Sequence, residues 1–196
     1  MVLQSRAYRA AAVLLALGAL TGLSTAARGQ VTVFSGSDSQ ASNCSQHAVR
    51  GEANENTIHT CTIALEHEPL VGRDLAGTYV NRGVLYLALG AWDRARTDFT
   101  TALSLDPKMG EALINLGAIN IAQRHWAEGV AEIDRGLSFN PQQPEKAYYN
   151  RALAKEKLDD VKGAYLDYMK AAELAPTWEL PQVELKRFSV SHSAGA

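Results

Sequence analysis

The chain has 196 residues, of which 46% are hydrophobic and 20% charged, a balance that excludes a disordered or fibrous chain. Nineteen basic against 21 acidic residues leave a formal net charge of −2 with no long run of either sign, which argues against a nucleic-acid partner. Such a length suits one compact domain, or a short array in which each repeat touches only its neighbours.

Arg6 and Arg9 precede a short apolar stretch over residues 10–20, and Ser24, Ala26, Ala27 and Gly29 supply small residues after it. A basic start, an apolar core and a small-residue exit predict a secretory signal peptide over residues 1–27. The apolar stretch is shorter than the roughly 20 residues needed to cross a bilayer, so no membrane span is expected after signal cleavage. An uncleaved N-terminal anchor is the rival reading. No cysteine lies at the cleavage region and Arg6 and Arg9 are not adjacent, so neither a lipid anchor nor a twin-arginine route is indicated. The expected location is periplasmic or secreted. Residues 28–40, which include QVTVFSGSDSQ, are expected to form a flexible polar leader.

Residues 41–75 gain their meaning from the repeats on their C-terminal side. Three segments, 76–109, 110–143 and 145–178, align with one another at a spacing of about 34 residues. Small residues recur at the eighth place (Gly83, Gly117, Ala152), the twentieth (Ala95, Gly129, Ala164) and the twenty-seventh (Ala102, Gly136, Ala171). Large apolar residues recur at the twenty-fourth (Phe99, Ile133, Tyr168) and the thirtieth (Leu105, Phe139, Leu174). Pro107, Pro141 and Pro176 close each unit, because proline cannot continue helical bonding and restricts the residue before it.

With small, large and proline positions all in phase, residues 76–178 resemble the tetratricopeptide-repeat family. The resemblance implies an all-α fold, an α-solenoid of antiparallel helix pairs wound into a right-handed superhelix, in which the first helix of each pair lines a concave surface. Two departures stand out. At the seventh place, where the family favours a buried Leu as at Leu116, the first and third units carry Arg82 and Arg151. The same two units carry Asp98 and Asp167 at the twenty-third place, and pairing of Arg82 with Asp98 and of Arg151 with Asp167 is expected. At the eleventh place the family favours Tyr, but only Tyr86 complies; Asn120 and Lys155 predict looser packing between the second and third units.

Upstream, CTIALEHEP (61–69) repeats the Ala-to-Pro spacing of FTTALSLDP (99–107), implying a degenerate helical hairpin over residues 41–75. Its helices would cover 41 to about 51 and 54–67. Folding the chain back about Glu52 then brings Cys44 opposite Cys61, and a disulfide is the expected state in an oxidising compartment. A zinc site using His47 and His59 beside the two cysteines is the rival, with free thiols as a third possibility.

In the resembled family the second, fifth, sixth, ninth, twelfth and thirteenth places of the first helix tend to face the groove. The sixth is Asn81, Asn115 and Asn150, a row of amides that resembles the asparagine ladder of some members, able to pair with the backbone of an extended peptide. Equally, this Asn could bond only to neighbouring helices. Apolar residues surround the row: Val80, Val84, Leu87, Ile114, Ala118, Ile121, Tyr149 and Leu153. The clamp that binds acidic C-termini in some relatives needs basic residues at the fifth, ninth and thirteenth places, of which only Lys157 is present.

Residues 179–196 read as a capping helix and tail, with Pro181 in the first turn. Trp178, Leu180, Val183 and Leu185 would cover the last repeat, and residues 189–196 would fray. No catalytic constellation, phosphate loop or zinc-protease motif occurs, so neither an enzyme nor a cofactor is expected and no metal site is assigned. The expectation is a protein-binding scaffold that takes an extended peptide from a protein partner. Two alternatives are a self-associating module, a homo-oligomer or one with its groove filled by its own tail, and a metal-responsive hairpin protein.

Overall fold

The computed structural model describes residues 2–5, 30, 32 and 39–191. Helix α1, Gln40–Arg50, starts where the Ser39 hydroxyl accepts the Ser42 N–H at 3.0 Å and stops at Gly51, whose φ of 69° is a left-handed conformation that glycine adopts freely. Helix α2, Glu55–His67, begins with a reciprocal cap between Asn54 and Thr57. Both Cys44 and Cys61 are fully buried and bridged to each other across this hairpin, with their Cα atoms 4.8 Å apart. With both sulfurs in the bridge, neither is a thiolate available to zinc.

Three helix pairs complete the repeats: α3 (Gly72–Ala88) with α4 (Trp92–Leu105), α5 (Gly110–Ala122) with α6 (Trp126–Leu137), and α7 (Glu145–Lys157) with α8 (Val161–Leu174). Each turn between paired helices passes through one left-handed residue at the same place in the repeat, Gly90, Arg124 or Asp159. The first unit uses the residue that adopts this conformation without penalty, whereas the other two hold a side chain there at a cost of roughly 1 kcal/mol each. The second helices end by two routes. Before Pro107 and Pro176 the residues Asp106 and Ala175 leave the helical conformation, as a following proline favours; Pro141 instead follows Asn140, which is left-handed at φ 51°.

Within a pair the helices approach closely because the recurring small residues leave no room for more. A Cβ added at Gly129 would lie 2.5 Å from Ile121 Cγ1, and one at Gly136 would lie 2.6 Å from Ile114 Cγ1 and 2.8 Å from the Gly110 carbonyl oxygen. At Gly83 the neighbour is the Phe99 ring. Between pairs, α6 packs on α7 as extensively as α4 on α5, contrary to the looser contact expected from Asn120 and Lys155. Those two residues replace aromatic packing with polar bonds: Asn120 accepts from Arg96 Nη2 at 3.1 Å, and Lys155 pairs with Asp167 at 2.9 Å.

Helix α9, Glu179–Leu185, closes the array, with Pro181 buried in its first turn. Trp178, Leu180 and Leu185 pack on the cluster formed by Tyr149, Ala152, Ala164, Tyr168 and Ala171. Val183 does not join them; it is 50% exposed. Of the stretch 189–196 expected to fray, residues 189–191 are extended: strand β2, Phe188–Ser191, pairs antiparallel with strand β1, Val2–Ser5, in the register Val2↔Ser191 to Ser5↔Phe188, while 192–196 lie outside the described residues. The alternation of apolar and polar residues in FSVS suits that extended conformation. This two-stranded ribbon is an addition to the all-α solenoid. Within the expected signal peptide only Val2–Ser5 is described; the remainder lies outside the described residues.

Candidate peptide-binding groove

Helices α3, α5 and α7 lie side by side along the array, and each presents an asparagine at the sixth place of its repeat. Asparagine is a poor choice for a helix interior because its amide competes with the backbone for hydrogen bonds. Here tertiary bonds account for it. Asn81 Oδ1 accepts the N–H of Thr32 at 2.8 Å while its Nδ2 donates to the carbonyl of the same residue at 2.9 Å. Asn115 does the same one repeat later, accepting from Gln30 N–H at 3.0 Å and donating to Gln30 O at 3.0 Å. Each amide therefore treats one residue of the segment as a neighbouring strand would, satisfying both its backbone groups.

Two further bonds fix the segment. The Ser45 hydroxyl, on α1, donates to Thr32 O at 2.7 Å, and Gln30 Nε2 donates to the Gln143 carbonyl at 2.5 Å. Gln30 and Thr32 are buried, as are Asn81 and Asn115. The expected flexible leader over residues 28–40 is thus corrected at these two positions, and also at Ser39 and Gln40, which begin α1. The other leader residues lie outside the described residues. Contacts at alternate residues are what an extended chain gives, and QVTV has the period-two alternation of such a chain. That alternation is the available signal for Gln30 and Thr32; Ser45 and Gln143, the other two partners, carry none.

The ladder has a polarity. Thr32 sits on the first repeat and Gln30 on the second, so the segment runs antiparallel to the order of the repeats. Asn150, the third rung, is half-buried, and its side chain makes no hydrogen bond to the described residues.

The apolar stripe expected around the row is not an open surface. Val80, Val84 and Leu87 are buried with Phe99, Ala95 and Ala102, while Ile114 and Ile121 are buried against Gly136 and Gly129 of α6. Tyr149 is wedged between Tyr168 and Trp178, with ring centroids 5.5 and 4.9 Å away, and half-buried Leu153 packs on the same cluster. In the second repeat Ile114 and Ile121 fill the space that glycine vacates on the paired helix. Their work is to hold the helices that carry the amides.

Next to the row, two ion pairs brace α3 on α4 and α7 on α8. Arg82 Nε and Nη2 donate to the Asp98 carboxylate at 2.9 and 2.8 Å, and Arg151 makes the same fork with Asp167 at 2.8 and 2.6 Å. Burial by itself would lower both guanidinium pKa values, but the hydrogen bonds and charges of Asp98 and Asp167 overcome it and the pKa values rise, so both arginines stay charged. Arg82 also stacks over Tyr79 and Tyr86, 5.6 and 5.9 Å from the ring centroids.

Among the described residues there is no group of three or more His, Cys, Asp and Glu side chains that could hold a metal ion, and no helix long and apolar enough to cross a membrane.

Comparison with known proteins agrees with the architecture. A protein of Haemophilus influenzae named "Lipoprotein NlpI homolog" is 40% identical over 106 residues, 47% of this chain and 34% of that protein. A Dictyostelium discoideum protein named "DnaJ homolog subfamily C member 7 homolog" is 25% identical over 126 residues, 64% of this chain and 22% of its own length. The chain therefore spans only about a third and about a fifth of these curated relatives. Among solved structures, the first TPR of Spaghetti (RPAP3) bound to the HSP90 peptide SRMEEVD superposes with a TM-score of 0.54 at 23% identity, covering 60% of this chain and 92% of that one. MamA from Desulfovibrio magneticus RS-1 superposes with a TM-score of 0.57 at 22% identity, covering 76% of this chain and 82% of its own. Sequence patterns described as tetratricopeptide repeat match residues 86–156 and 145–177. Those two matches, laid on three stacked helix pairs, make the chain a member of the tetratricopeptide-repeat family.

Proposed function

We propose that this protein is a non-enzymatic adaptor of the periplasm or cell exterior that holds an extended segment of a partner protein in its concave groove. Tetratricopeptide-repeat scaffolds are suited to binding proteins and peptides; the finer reading rests on one observation. Asn81 and Asn115 bind both backbone groups of alternate residues in an extended segment, so the groove carries the bonds a peptide ligand needs. Because those bonds go to backbone, they accept a segment of any sequence that can extend. The alignment with a bacterial protein named as a lipoprotein supports an envelope location, as do the basic start and apolar stretch of residues 6–20.

The test replaces Asn81, Asn115 and Asn150 together by Ala and compares the partners captured from an envelope extract with those of the parent chain. Loss of a subset of captured proteins at unchanged helix content is expected. Persistence of every partner would show that the ladder is not the binding site.

The self-associating alternative also has an observation in its favour, since the described occupant of the groove belongs to this chain. It is the leader around Gln30 and Thr32, however, that is described there.

A further inference from the structure

The segment held by the ladder fits it imperfectly. Thr32 Oγ1 and Gln30 Oε1 are buried and have no hydrogen-bond partner among the described residues, although the backbone groups of both residues are fully paired. Burying a polar atom without a partner forfeits the hydrogen bonds it made to water. Threonine and valine share a shape, so valine at the Thr32 station would keep every backbone bond and leave nothing orphaned. The station on Asn81 therefore favours a branched apolar side chain over the residue that occupies it.

We infer that Gln30 and Thr32 are a built-in placeholder, and that the groove's partner is an extended segment with valine or isoleucine at the Asn81 station, running from the third repeat towards the first, which displaces it. This rests on the groove being the partner site proposed above. A tethered segment competes at a high effective concentration, so a partner in trans must bind better per contact to displace it. The orphaned hydroxyl supplies that margin. Without a placeholder the amides of Asn81 and Asn115 would face an empty groove; with a perfectly matched one the groove would stay closed.

Two measurements on the full chain test this separately. In the first, Thr32→Val is made in the chain and hydrogen exchange of the Gln30 and Thr32 amides is followed by NMR. Relief of one buried orphan predicts protection raised by about tenfold. In the second, the blocked peptides Gly-Gln-Val-Val-Val and Gly-Gln-Val-Thr-Val are titrated into the parent chain. The valine peptide should bind about tenfold more tightly than the threonine peptide. Saturation should also deprotect the chain's own Gln30 and Thr32 amides, and a peptide of reversed sequence should not compete.

Unchanged or reduced protection in Thr32→Val overturns the mismatch, whatever the peptides do. Equal binding of both peptides with exposure of the chain's own amides also overturns it, yet leaves the adaptor reading intact. If Thr32→Val is better protected but neither peptide displaces the segment, the contact is a permanent part of the fold; displacement is then refuted, and the adaptor reading falls with it.

Discussion

Removing the Asp98 carboxylate isolates the interaction that most distinguishes the first and third repeats from the second. Asp98→Ala deletes both acceptors of the Arg82 fork at a site where the aspartate side chain is 5% exposed and the arginine 18%. Breaking a buried pair by removing one partner costs about 3 to 5 kcal/mol, most of it from the charge left behind. Arg82 does not lose everything, since Nη1 still donates to Thr62 Oγ1 at 3.1 Å and the guanidinium still lies over Tyr79 and Tyr86. Its partial exposure also admits water. The expected loss is therefore about 2 to 3 kcal/mol, lowering the thermal midpoint by about 4 to 10 °C for a chain of this size. Circular dichroism melts of Asp98→Ala, Arg82→Leu and Arg82→Leu/Asp98→Ala form a double-mutant cycle. The double variant should be more stable than either single, because the second repeat already tolerates Leu116 at the place Arg82 occupies. A midpoint for Asp98→Ala within about 1 °C of the parent, or strictly additive singles, would refute the reasoning.

Reduction of the Cys44–Cys61 bridge, which closes a separation of 17 residues, should add two hydrogen masses and destabilise the first hairpin by about 3 kcal/mol; limited proteolysis should then cut within α1 and α2 before it cuts α5 to α8. Gly129→Ala should cost about 1 to 3 kcal/mol in chemical denaturation, because its Cβ meets both Ile121 and the Gly117 carbonyl, whereas Gly90→Ala meets no neighbour and is penalised only for its left-handed backbone. Tyr168 is fully buried, and that burial together with the Glu156 carboxylate, to which its hydroxyl donates at 2.8 Å, holds the phenol pKa well above its ordinary value. The unfolded chain ionises this phenol first, so its contribution is intact below about pH 10 and declines as pH rises further. Between about pH 9 and pH 11 the denaturation midpoint of the parent should consequently fall more than that of Tyr168→Phe.

How far the sequence reveals the groove depends on where the determining contacts lie. Arg82 and Arg151 are legible because a charge at a normally apolar place demands a partner, and the only units with Arg at the seventh place also have Asp at the twenty-third. Cys44 and Cys61 are legible for a similar reason, since one hairpin brings them together. Gln30 and Thr32 are different. Their partners Asn115 and Asn81 are 85 and 49 residues away, and the Ser, Gly and Asp residues beyond them give the leader the composition of a solvated segment. The stripe of Val80, Ile114 and Ile121 misleads because helical spacing fixes a face without saying how wide the buried part of it is. Gly129 and Gly136 widen it, drawing Ile121 and Ile114 away from the groove and into the seam with α6.

Why one asparagine per repeat should read every second residue is a question of matched spacings. Packed helix axes lie about 8 to 10 Å apart, and two residues of extended chain advance only about 6.6 Å. A row of side chains on parallel helices would fall out of step with a peptide after one rung. In this array α3 touches α5 and α5 touches α7 directly. For both rungs to bond, the amides must stand closer together than the helix axes, towards the spacing of the peptide. Asn81 and Asn115 meet Thr32 and Gln30 with paired bonds of 2.8 to 3.0 Å, so the match holds over one full step. The small residues at the eighth, twentieth and twenty-seventh places thereby act on binding as well as on packing. Any substitution that thickens a helix pair, Gly129→Ala included, should shift the third rung relative to the first two and weaken a ligand that spans all three more than one that spans only Asn81 and Asn115. A peptide series of increasing length would detect that difference as a loss of the affinity gained from the residue at Asn150.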